Sequence, residues 1–103
     1  MDRILVIPGS EAQISLIKKL HELGFIVVCI DPHEDAPAFA YADLCERGDI
    51  LDRDFCLQKA ICHNIIAVLS DECDIAMPTV AYISDKLGLP GICTDLAALY
   101  TNK

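Results

Sequence analysis

Short apolar runs of β type alternate along the chain with segments of helical periodicity, and this alternation constrains the fold most strongly. Residues 3–7 form the first run, and Gly9 and Ser10 follow it at once. Ser10 and Gln13 read as an S-x-x-Q capping box. Ile14, Ile17, Leu20 and Leu23 then recur at helical spacing, and Gly24 is a stop signal. Residues 25–30 are a second continuous apolar run, as expected of a strand covered on both faces.

The later pattern repeats the alternation. "DPHEDAPAFAYAD" (31–43) begins as a turn and predicts one short helical turn around Ala38 to Ala42, with a short strand over 44–47. Asp52 or Asp54 can cap a helix that reaches His63 and ends at Asn64. "IIAVLS" (65–70) predicts a strand, and Val80, Ile83 and Leu87 predict the inward face of a helix ending at Gly88. "LPGIC" predicts a fifth strand or extended piece, and Thr94 a cap for a last helical turn. The expected fold is a Rossmann-like α/β sandwich of three layers, with a mostly parallel sheet of four or five strands in the order 3-2-1-4. In that order ligands bind outside the carboxyl ends of the strands at the switch point, here the loops 8–11 and 70–74.

Composition narrows the class. With 103 residues, of which 53% are hydrophobic, the chain suits one domain with a single packed core. The longest apolar run is far too short to span a bilayer and the N-terminus lacks a basic segment before an apolar one, so a cytoplasmic protein without membrane contact is expected. Sixteen acidic residues against eight basic ones give a net charge of −8, which disfavours nucleic acid as a partner. The six cysteines contain no C-x-x-C and the three histidines no paired ligand spacing, so no metal site is expected and the thiols read as reduced and structural.

The loop after the first strand superficially matches a dinucleotide turn. That motif needs glycines where backbone meets pyrophosphate and an acid about 20 residues on. Asp31 supplies the acid, but Glu11 and Ile14 stand where the second and third glycines belong. A carboxylate in the first helical turn takes the positive dipole end that a phosphate would use. A nicotinamide-dependent enzyme is therefore the weaker alternative. Glu11 has two readings: dipole compensation, or orientation of a polar substrate together with Ser10 and the backbone at Gly9. Asp71, Glu72 and Asp74 lack the pattern of a calcium loop and read as helix capping.

Taken in order, residues 4–52 ("ILVIPGSE…GDILD") and 80–103 ("VAYISDKLGLPGICTDLAALYTNK") resemble the N-terminal, pre-ATP-grasp domain of ATP-grasp carboxylate–amine ligases. The first segment is similar to the opening of the carbamoyl-phosphate synthase large chain, biotin carboxylase and purine-pathway members. The resemblance implies a ligase that activates a carboxylate with MgATP as an acyl phosphate for attack by an amine. It implies that the loop after the first strand faces the acceptor substrate, while ATP and magnesium are held by later domains. The loop also resembles that of D-alanine–D-alanine ligases, with one residue fewer between the serine and the glutamate. The substrate-side candidates are Gly9, Ser10, Glu11, Asp31, Ser70, Asp71 and Glu72, with no catalytic residue, cofactor or metal in this chain. The resemblance further implies a fragment of a longer ligase, or a split gene, inactive alone. The remaining ATP-grasp domains and a small carboxylate or amine are the expected partners. A stand-alone small-molecule-binding or regulatory module of the same fold is the first alternative. Leu96, Leu99 and Tyr100 at helical spacing predict self-association through the C-terminal segment.

Overall fold

The computed structural model describes residues 2–71 and 75–94. Eight regular elements follow one another as β1 (Arg3–Val6), α1 (Ile14–Glu22), β2 (Ile26–Asp31), β3 (Leu44–Arg47), α2 (Arg53–His63), β4 (Ala67–Asp71), α3 (Met77–Leu87) and β5 (Gly91–Thr94). The sheet order is β3-β2-β1-β4-β5 and every pairing is parallel. This is the expected Rossmann-like arrangement with a fifth strand added beside β4.

Because side chains alternate along a strand, each buried strand feeds two cores. Leu5, Ile7, Val28, Ile30 and Val68 face Cys56, Ala60, Val80 and Ile83 of α2 and α3. Ile4, Val6, Val27 and Cys29 face Leu16, Ile17 and Leu20 of α1. Those clusters define the three layers. Cys56 lies in the first core, where burial foremost, and then Asp52 and Asp49, push its thiol up to about 12. Its side chain is part of the packed core.

Local signals account for most element ends. The Asp52 side chain accepts from Phe55 N at 3.1 Å and caps α2, while Asn64 closes it in the left-handed region at φ 59°. Gly88, at φ 63°, closes α3. The helical turn expected near Ala38 is a 3-10 turn over Pro37–Ala40. β4 runs later than 65–70 because its ladder begins where Ala67 pairs with Ile4. The C-terminal turn expected after Thr94 lies outside the described residues, as do Leu96, Leu99 and Tyr100.

Two expectations for α1 are corrected. Leu23, expected inward, is 61% exposed, and Leu16 takes its place in the core. Ile17 and Leu20 stay inward as their spacing requires, but Leu23 is the C-cap and lies beyond the last turn of the helix. Ser10 and Gln13 also form no capping box. The Ser10 side chain makes no cap hydrogen bond, and the Gln13 amide is drawn across to the end of β4.

Two carboxylates brace β3, the edge strand. At Asp43 burial opposes ionisation, but the Val27 N–H at 2.7 Å and the His21 ring at 2.7 Å hold the carboxyl below its ordinary 3.8. At Glu46 the His63 ring at 2.7 Å is the main cause of a carboxyl held below its ordinary 4.5, with Lys59 adding to it. Both shifts are downward, so their stabilisation is complete above the ordinary values and is lost as pH falls through the folded ones. Urea unfolding at pH 7 and pH 3 should therefore show a larger loss in the natural chain than in an Asp43→Asn, Glu46→Gln double variant. Equal losses would show that neither carboxylate matters to the acid limb.

Candidate functional site

The carboxyl ends of β1 and β2 carry the site. β1 leads through Ile7 and a cis Ile7–Pro8 peptide into Gly9, whose N–H donates to Asp31 Oδ2 at 2.8 Å. The other Asp31 oxygen, Oδ1, accepts from His33 N at 2.9 Å and lies 3.0 Å from His33 Nδ1. Its main-chain carbonyl accepts from Gly48 N at 3.1 Å, and the Gly9 carbonyl accepts from Ala38 N at 2.9 Å. Asp31, at 6% exposure, thus ties the turns after β1, β2 and β3 together.

This junction explains the glycine. A Cβ on residue 9 would lie 2.9 Å from Asp31 Cβ and 3.0 Å from Ala36 Cβ, closer than carbon atoms approach one another. Gly9 is therefore required by the proximity of two protein segments, without a pyrophosphate.

Over this floor opens a cleft of about 450 Å³ lined by Ser10, Glu11, Asp31, His33, Asp35 and Pro37. Glu11 and Asp35 are exposed, and among the described residues no lysine or arginine lines the cleft. Arg47, on the next strand, lies 3.8 Å from Glu34. The cleft is acidic, which disfavours a polyphosphate; a triphosphate does not fit this donor set. Among the described residues no group of three His, Cys, Asp or Glu is placed to hold a metal ion.

The expected site residues are thus divided. Ser10, Glu11 and Asp31 line one cleft with Gly9 beneath it. Ser70 and Asp71, expected in an exposed loop, are instead the last residues of β4, at 0% and 6% exposure. They are covered because the β4 ladder extends one residue further than the apolar run suggests, with Asp71 paired to Thr94. Among the described residues the Ser70 hydroxyl has no hydrogen-bond partner, and it lies on the sheet face shared with Val68, towards α3. Glu72 lies outside the described residues. The cleft therefore opens over β1 and β2, and β4 bounds it only indirectly.

That indirect link is Gln13, which is 1% exposed. Its Nε2 donates to the Asp71 carbonyl at 2.6 Å and its Oε1 accepts from Asp71 N at 2.8 Å. The side-chain amide thus pairs with the main chain of Asp71 as a neighbouring strand would, and fixes the β1 loop against the end of β4. Sequence reasoning missed Gln13 in this role, and it missed His33 and Asp35 as lining residues. A buried glutamine next to a capping position looks like a cap; "HED" after Asp31-Pro32 looks like a solvated turn. Their position at a strand's carboxyl end was the signal available.

No family model matches the chain, and no curated protein matches it in sequence. Solved structures do. Phosphoribosylglycinamide synthetase from Anaerococcus prevotii matches with a TM-score of 0.78 and 26% identity, over 99% of this chain and 26% of that one. N5-carboxyaminoimidazole ribonucleotide synthetase from Thermotoga maritima matches at 0.72 and 20% identity, over 87% of this chain and 24% of that one. UDP-glucose 4-epimerase from Brucella ovis, in complex with NAD, matches at 0.61 and 17% identity, and this likeness shows the fold alone. The first is an ATP-grasp ligase of purine biosynthesis, and the second likeness, at 20% identity, shows the fold alone. The chain is thus similar to the N-terminal domain of an ATP-grasp carboxylate–amine ligase, and spans about a quarter of the two ligases it matches.

Proposed function

We propose that this chain is the acceptor-side domain of an ATP-grasp ligase that joins a carboxylate to an amine. The observation that carries the reading is the open, acidic cleft over the carboxyl ends of β1 and β2, in a fold whose likeness to a solved ligase extends over 99% of the chain. In the whole enzyme MgATP, held by the other domains, activates the carboxylate as an acyl phosphate, and the amine then attacks its carbonyl carbon. The carbamoyl-phosphate synthase large chain is the proposed pattern for that division of labour. The role of the present residues is to bind and orient. Ser10 offers a hydroxyl, and Glu11 and Asp35 offer carboxylates to an ammonium group. Asp31 holds the floor. Of the two substrates, the amine suits this charge better than the carboxylate does. In this reading the domain by itself performs no ligation, because among the described residues its cleft offers no lysine or arginine to a triphosphate. Contact with the remaining ligase domains, a cytoplasmic location and self-association belong to the same proposal.

Glycinamide and ribose 5-phosphate are suitable probes. Titrated into the labelled chain, glycinamide should shift the amide signals of Gly9, Ser10, Glu11 and His33, and added salt should weaken the effect. Glu11→Gln should weaken binding about two- to fivefold, in keeping with an exposed ion pair. Ribose 5-phosphate binding at the same signals would overturn the amine assignment while leaving the acceptor cleft. Silence with both probes would overturn the cleft itself.

A further inference from the structure

Cys29 of β2 and Cys45 of β3 are Cα partners in the parallel ladder. Neighbouring strands lie about 4.8 Å apart, within the range of roughly 4.4 to 6.8 Å over which disulfides join Cα atoms. In-register partners present their side chains on the same sheet face, here the α1 face that Cys29 occupies. Both thiols are free. Burial pushes the Cys29 thiol far up, and the neighbouring Cys45 adds to that effect. Cys45 is exposed at the sheet edge and open to reagents.

Their hydrogen bonds lead to the cleft. Cys29 Sγ donates to the Pro8 carbonyl at 3.8 Å, and Pro8 enters the Gly9 loop. Cys45 Sγ donates to the Phe39 carbonyl at 3.5 Å, within the 3-10 turn that begins at the cleft-lining Pro37. The Ala38 N–H to the Gly9 carbonyl joins these two segments.

We propose that Cys29 and Cys45 are an oxidisable thiol pair, which closes a disulfide between β2 and β3 and thereby releases two backbone carbonyls framing the cleft. With a peroxide as oxidant, the Cys45 sulfur attacks one peroxide oxygen and becomes a sulfenic acid, and the first water leaves. The Cys29 sulfur then attacks the Cys45 sulfur, the S–O bond breaks, and the hydroxide leaves with the Cys29 proton as a second water. Two thiols and one peroxide thus give one disulfide and two waters. Parallel in-register Cβ atoms are somewhat further apart than an ideal disulfide requires, so β3 must shift inward. A four-residue edge strand can do this, and the resulting bond should be readily reduced.

The test treats the full chain with hydrogen peroxide. The tryptic peptide 20–47 contains both cysteines. It should lose the mass of two hydrogens and recover it with dithiothreitol. Cys62→Ser, which removes an exposed thiol, should leave this unchanged, and Cys45→Ser should lower the yield of that species at least tenfold. In the oxidised chain, hydrogen exchange at Ala38 should rise about threefold or more. Peptide 20–47 gaining oxygen without losing two hydrogens would overturn the pair, as would disulfides that vanish in Cys62→Ser. A disulfide without faster exchange at Ala38 would overturn its link to the cleft.

Discussion

Replacing Gln13 by leucine should lower stability by about 2–5 kcal/mol, although leucine fits the volume. The loss arises from the partners left behind. Asp71 N–H and C=O, both bonded to the Gln13 amide in the natural chain, would each lose that bond in a buried setting. Losing the partner of a buried backbone group costs about 1–3 kcal/mol, and two such bonds are lost here. For a domain of this size each kcal/mol moves the melting temperature by about 4–8 °C, so a fall of ten degrees or more is expected in a circular dichroism melt. Gln13→Glu separates hydrogen bonding from packing: it retains an acceptor for Asp71 N but cannot donate to Asp71 O when ionised. It should be as damaging at neutral pH and partly recover towards pH 5, where the carboxyl can regain its proton and donate. Melting temperatures within two degrees of the natural chain for both variants would show that the bridge is dispensable.

Gly9→Ala is expected to cost about 1–3 kcal/mol, the usual penalty of overpacking, because its methyl would meet Asp31 and Ala36. The effect should reach function as well as stability. Relieving the clash moves Gly9 N away from Asp31 Oδ2 and opens the junction beneath the cleft. Amide shifts at His33 and Gly48, the other two partners of Asp31, would report that opening even where the melting temperature changes little. An alanine variant that retains both the melting temperature and the His33 and Gly48 shifts would refute the close-contact account of this glycine.

The fold was legible because its determinants are local and periodic. Asp52, Asn64 and Gly88 mark helix ends through their own backbone or cap chemistry, and Val80 and Ile83 point inward as their spacing requires. Residues whose partners are far along the chain were misread. Gln13 and Asp71 are 58 positions apart, and nothing near Gln13 distinguishes a strand-like bridge from a cap. Leu23 was misassigned because the helix ends one residue before it, so the apolar spacing runs past the element. Ser10, Glu11 and Asp31, placed at the candidate site from the sequence pattern, line one cleft. His33 and Asp35 escaped because exposed polar residues after a proline are what any solvated turn contains.

The Asp31 junction has a consequence for how this domain can diversify. The shape of the cleft is set by Gly9, Asp31 and main-chain groups at 33, 38 and 48, whereas its chemistry is displayed at 10, 11 and 35. Scaffold and recognition thus reside in separate residues only one or two positions apart. Substitutions at Ser10, Glu11 and Asp35 can reset charge and size without touching a bond that holds the loop. Changes at 9 or 31 alter the frame for any ligand, so under the proposed function the choice of acceptor can change at 10, 11 and 35 while the frame stays as it is.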